Sequence, residues 1–302
     1  MSKFLKLLIP AAIVAAGVGW VATAPQTVAS DAFADATGDV ERGKQVFTAA
    51  GCASCHAAPG ASGADKLVLS GGQEFPSPFG TFIAPNISPD AQRGIGDWQM
   101  RDLANALLHG VSPEGQHYYP AFPFTSYARM DDRDIVDLWA YMQTLPPSSD
   151  ASQDHNVGFP FNIRRALGGW KMLFLNTDWV MDGNDLGPDL TRGRYLVEAL
   201  GHCAECHTPR NVLGGLDRGQ WMAGAPDPSG TGTIPALTPD KLTWSAQDIA
   251  YYLETGFTPD FDSAGGHMAN VVANTGQLSS EDRAAIAAYV KALPMPDTAD
   301  AG

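Results

Sequence analysis

The strongest constraint on this chain is the spacing of its four cysteines. They fall as Cys52-Ala53-Ser54-Cys55-His56 and Cys203-Ala204-Glu205-Cys206-His207, and no other cysteine exists in the 302 residues. C-x-x-C-H is the attachment signature of c-type haem. Two thiols three positions apart on one helical turn can each add to a vinyl group on one porphyrin edge. The next residue, His, then offers a ring nitrogen to the iron. A zinc site would need its second thiol pair nearby, and about 150 residues separate these two. A thioredoxin-like redox pair would use one motif near a βαβ pattern, and the chain has none. The expected cofactors are therefore two covalent haems, held by Cys52, Cys55 and His56 and by Cys203, Cys206 and His207.

The surroundings of the two motifs repeat as well. Asp39-Val40-Glu41-Arg42-Gly43 precedes the first and Asp189-Leu190-Thr191-Arg192-Gly193 the second. Pro85-Asn86-Ile87-Ser88-Pro89-Asp90 is echoed by Pro235-Ala236-Leu237-Thr238-Pro239-Asp240. Trp98 and Gly110 share the spacing of Trp244 and Gly256, and Asp134, Tyr141 and Pro146 that of Asp282, Tyr289 and Pro294. The chain is a tandem duplication. Each unit reads as a helix opened by Asp (39–50 and 189–200), a middle helix (Gln99–His109 and Ser245–Thr255) and a last helix. The last helices start at Asp131 or Asp132 and at Ser279, and the prolines end them. Stretches 57–97 and 208–243 are dense in Gly, Pro and Ser and read as loops around a prosthetic group. Such short helices need the apolar bulk of haem.

These residues resemble the class I cytochrome c fold twice over, and more closely the bacterial dihaem cytochromes c, relatives of the cytochrome subunits of membrane-bound alcohol and gluconate dehydrogenases. The carrying segments are Ala84–Asp90, Gly94-Ile95-Gly96-Asp97-Trp98, Tyr119-Pro120-Ala121-Phe122-Pro123-Phe124 and His202–Asn211. The resemblance implies an all-α fold of two tandem cytochrome c domains, at 39–147 and 189–296, with an interdomain segment at 148–188 and a tail at 297–302.

An electron-carrying haem c usually takes Met opposite His, because a thioether favours Fe(II). Met268 in Gly265-Gly266-His267-Met268 occupies the position of the cytochrome c methionine loop, with His267 as the alternative beside it. In the first unit Phe122 aligns with Met268, so the candidate shifts to Met130, just before the last helix. There it could equally act as a hydrophobic staple. Relatives often carry Pro-Ala-Phe-Pro followed by such a Met, which favours Met130 as ligand. His117 is the other candidate. Trp98 and Trp244 suit haem edges or the core, and Arg164, Arg165 and Arg210 suit propionates or plain surface.

Lys3 and Lys6 precede an uncharged run, Leu7–Ala24. It reads as a signal sequence with an Ala22-Thr23-Ala24 site, or as an uncleaved apolar anchor helix over 1–24. Either reading places the rest on the periplasmic side of a bacterial inner membrane, and 25–38 as a tether. Lys+Arg 19 against Asp+Glu 33 gives −14, which disfavours nucleic acid and suits redox partners with basic docking patches. The expected function is single-electron transfer between a dehydrogenase or cytochrome complex and a terminal acceptor, without catalysis of its own. The alternatives are a haem enzyme with an open first haem and a dehydrogenase cytochrome subunit.

Overall fold

The computed structural model describes residues 3–181, 183, 186–228, 230 and 232–296; within the first helix the side chains of 3–9, 11, 12 and 16 lie outside the described residues. Two helical domains follow one another, joined by a packed segment. The chain begins with α1 (Lys3–Ala22). The first domain holds α2 (Val40–Ala49), α3 (Cys52–His56), strands β1 (Glu74–Ser77) and β2 (Gly80–Ile83), α4 (Met100–Ala104), α5 (Phe124–Tyr127) and α6 (Asp132–Met142). The connecting segment supplies β3 (Asn156–Val157) and α7 (Ala166–Phe174). The second domain holds α8 (Pro188–Arg194), α9 (Ala204–His207), β4 (Ala225–Pro226), β5 (Thr233–Ile234), α10 (Ala246–Thr255), α11 (Gly266–Thr275) and α12 (Ser280–Lys291). Both α4 and α8 continue as wider π turns, over Asn105–His109 and Tyr195–Leu200.

In each domain the first and last helices cross at a glycine. A Cβ on Gly43 would stand 1.9 Å from the Asp137 carbonyl oxygen and 2.8 Å from Tyr141 Cβ. A Cβ on Gly193 would stand 2.1 Å from the Ala285 carbonyl oxygen and 2.7 Å from Tyr289 Cβ. No side chain fits at either crossing, so the repeated Arg-Gly pairs mark the points where backbones touch. Asp39 caps α2 by accepting from the amides of Glu41 and Arg42 (3.0 and 3.1 Å), and Ser279 caps α12 by accepting from Asp282 (3.0 Å).

Several expectations need correcting. The fold is predominantly helical rather than all-α: β1, β2 and β3 form an antiparallel sheet and β4 and β5 a second one. Gly187, not Asp189, caps α8; Pro188 takes the first helical position and Asp189 the first turn. Met268 lies not on a loop but in the first turn of α11. Residues 25–38, expected as a tether, are docked on the first domain. The Val28 amide donates to Asn105 Oδ1 (2.8 Å), Arg101 reaches the Ser30 carbonyl, and Val28 and Phe33 pack on the core. Among the described residues no helix is long and apolar enough to cross a membrane. Part of the expected apolar anchor falls on side chains outside the described residues, and the tail at 297–302 lies wholly outside them.

The connecting segment binds both domains. Tyr119 donates to the Phe161 carbonyl (3.1 Å), and Lys171 Nζ donates to the carbonyls of His109 and Gly110 (2.5 and 2.8 Å). Trp170 Nε1 donates to Leu213 (2.8 Å), and Arg218 to Asp178 (3.1 Å). Buried Asn86 ties the same segment to the first domain through the carbonyls of Ser148 and Asp150.

Candidate haem sites

Each attachment helix is separated by two or three residues from a helical run that crosses its domain's last helix at glycine, so the thiols and the imidazole inherit a rigid base. Gly51 lies between α2 and α3 at φ 65°, a left-handed turn that glycine adopts without strain. His56 and His207 are held alike. His56 Nδ1 lies 2.9 Å from the Pro85 carbonyl oxygen, and His207 Nδ1 lies 2.7 Å from that of Pro235. A carbonyl only accepts, so Nδ1 carries the proton in both rings. Nε2 keeps its lone pair for a metal. Burial pushes both imidazoles below their ordinary value, with the carbonyl bond opposing, so both rings are neutral near pH 7.

All four cysteines are unpaired. Burial pushes the Cys52 thiol up to about 12, Cys55 to about 11 and Cys203 to about 12, and raises Cys206. Such thiols stay protonated, unlike the thiolates that serve a redox pair. The donor set therefore fits haem c: two neutral thiols on one turn and an oriented imidazole with a free nitrogen, twice.

The domains differ at the methionines expected from sequence. Met130 is buried in the core just before α6, and Met268 is half-buried on α11, packed against the core. His117 has no free ring nitrogen: Nδ1 accepts from Lys171 Nζ (3.1 Å) and Nε2 donates to the Thr23 carbonyl (3.0 Å). It fastens the chain after α1 rather than facing a metal. His267 is exposed and stacks on Phe75, with ring centres 6.3 Å apart. Trp98 and Trp244 pack against the core. Arg164 lies over the Tyr119 ring, Arg165 over Trp20, and Arg210 pairs with Glu205. The carbonyls of Pro85 and Pro235 were not singled out from sequence, although their matched positions in the repeat were visible.

Two units with this donor set define a class: c-type cytochromes with one haem in each of two domains. The sequence model of cytochrome c matches residues 40–146, and that of the cytochrome c oxidase cbb3-type subunit III matches 188–290. A diheme cytochrome c-type protein of Cereibacter sphaeroides is 57% identical over 93% of this chain and 95% of its own length. The chain belongs to this dihaem cytochrome c family, and it carries two covalently bound haem c groups. The fructose dehydrogenase cytochrome subunit of Gluconobacter japonicus is 36% identical, covering 84% of this chain and 52% of its own length. The gluconate 2-dehydrogenase cytochrome c subunit of Pantoea cypripedii is 35% identical, covering 85% and 60%. The chain thus spans little more than half of these two subunits.

Proposed function

We propose that the protein carries single electrons between redox proteins, with Cys52, Cys55 and His56 holding one haem and Cys203, Cys206 and His207 the other. Bound haem supplies a one-electron Fe(III)/Fe(II) couple. The chain's own residues orient that couple and exclude water from it. The observation carrying this reading is the duplicated imidazole–carbonyl bond, which leaves one free nitrogen beside two neutral thiols in each domain. Met130 and Met268 complete the two irons as sixth ligands. Both side chains are at least half buried against core residues, and His117, the rival in the first domain, is fully engaged elsewhere. No catalytic step is assigned to the chain.

The uncharged run after Lys6 anchors the chain at the periplasmic face of the inner membrane. Ile13, Val14, Val18, Trp20 and Val21 are exposed on α1 and suit an apolar surrounding. The net charge of −14 favours partners with basic docking patches. A narrower role, as the cytochrome subunit of a dehydrogenase complex, draws on the names of the fructose and gluconate relatives. Potentiometric titration of the holoprotein tests the carrier reading. Two reversible one-electron steps are expected, and a haem that cannot be cycled reversibly contradicts it. Fractionation with N-terminal sequencing tests the anchor: membrane-bound chain with an intact N-terminus is expected, and a soluble chain starting near Pro25 contradicts it.

A further inference from the structure

The two attachment motifs differ in their second spacer residue, and in both that residue reaches into the other domain. Ser54 Oγ of the first motif accepts from Asn274 Nδ2 of α11 (2.8 Å). Glu205 Oε1 of the second accepts from Thr125 Oγ1 (2.5 Å) and Ser126 Oγ (3.2 Å), both on α5. Arg210 pairs with the other carboxylate oxygen of Glu205. The first spacers, Ala53 and Ala204, are featureless by comparison.

Tyr127, the last residue of α5, fills the seam between the motifs. Its hydroxyl donates to the Ala50 carbonyl (3.0 Å), two residues before Cys52, and its ring meets His202, one residue before Cys203, edge-on at 5.6 Å. Tyr127 thus bridges the approach to the first motif and the approach to the second. Because the spacers sit between cysteines, a clamp on them is a clamp on whatever the cysteines hold. Clamps meant for stability alone could stand anywhere on the interface.

We propose that Ser54 with Asn274, and Glu205 with Thr125, are positioning residues that fasten α3 to the second domain and α9 to the first so that an electron passes directly between the two haems. The proposal rests on the carrier reading. In the step, ferrous iron in one domain is oxidised as ferric iron in the other is reduced; one electron moves, and no bond forms or breaks. Electron transfer between fixed centres falls off exponentially with the distance between them, so loosening the seam should be visible in the exchange.

The test is flash or pulse reduction of the holoprotein, following redistribution of one electron between the haems. Glu205→Ala should slow redistribution several-fold. Glu205→Gln keeps an oxygen that accepts from Thr125 and should restore most of the rate. Both substitutions remove the same charge and should raise the second haem's potential alike, so a rate that follows charge instead of the hydrogen bond overturns the proposal. Asn274→Ala, outside both motifs, carries the test if Glu205→Ala fails to load two haems, and it should also slow redistribution. Unchanged rates in Glu205→Ala or, where that variant does not load, in Asn274→Ala overturn the clamp. Wild-type haems that each cycle reversibly yet do not exchange electrons also overturn it, and the carrier reading survives. Haems that do not cycle at all contradict the carrier reading itself.

Discussion

The two domains agree around the attachment motifs and part around the methionines. On the imidazole side, the ring-to-carbonyl distances are 2.9 and 2.7 Å and the glycine crossings nearly superpose in kind. Around the methionines, the first domain places the short α5 and then Met130 directly before α6, whereas the second places Met268 on the ten-residue α11. Attachment geometry tolerates little change, because covalent bonds and an oriented imidazole must meet one porphyrin. The methionine regions carry no such covalent constraint, so they are free to diverge. The divergent pieces, α5 and α11, are also the pieces that clamp the domains together.

Removing attachment chemistry from one half should break the comparison most severely. Cys203→Ala with Cys206→Ala is expected to leave one haem by intact mass, retained in the first domain, and two haems in that variant would refute the assignment. Next comes Gly43→Val against Gly193→Val. Each puts a side chain where a carbonyl oxygen already stands, and overpacking costs roughly 1–3 kcal/mol, sometimes more. Denaturant unfolding of the holoprotein should show losses of similar size, and a neutral result at either position would deny that the crossings are equivalent.

The methionines sharpen the divergent side. Met130→Ala and Met268→Ala should each remove a thioether–iron charge-transfer band and lower one haem's potential, nearly independently. If Met130 only staples α6, its loss would weaken that helix and leave the spectrum unmoved. The smallest effect concerns acid. Burial pushes the Asp137 carboxyl up, but bonds from Arg42 and the Asp39 amide, with Arg133 beside them, hold it below its ordinary value. A carboxyl lowered on folding adds stability above its unfolded value, about 4, and loses it as pH falls through the folded one. Ala285 holds the corresponding place in the second domain. Asp137→Asn should therefore flatten the loss of first-domain stability between about pH 4 and lower values; an unchanged acid profile would remove Asp137 from the account.

The attachment motifs, the duplication and the six principal helices were legible because they rest on local signals: motif spacing, caps and terminal prolines. Ser245 shows this, since it caps α10 by accepting from the Asp248 amide. What stayed hidden depends on distant partners. α7 contains Gly168 and Gly169, and α11 starts after Gly265, which locally reads as a loop. β1 and β2 span four residues each, too short for a period-two pattern to emerge. The docking of 25–38 depends on Asn105 and Arg101, seventy or more residues away. The carbonyls of Pro85 and Pro235 act through backbone, and sequence spelling says little about where a backbone oxygen points.

The central claim is that both irons are closed by a protein ligand and serve electron transfer alone. The most direct measurement is the reduced-state absorption spectrum of the holoprotein with and without carbon monoxide. No change is expected at either haem if Met130 and Met268 hold the sixth positions as proposed. Ready binding of carbon monoxide at one haem, coupled with an unmoved spectrum in Met130→Ala, would contradict it.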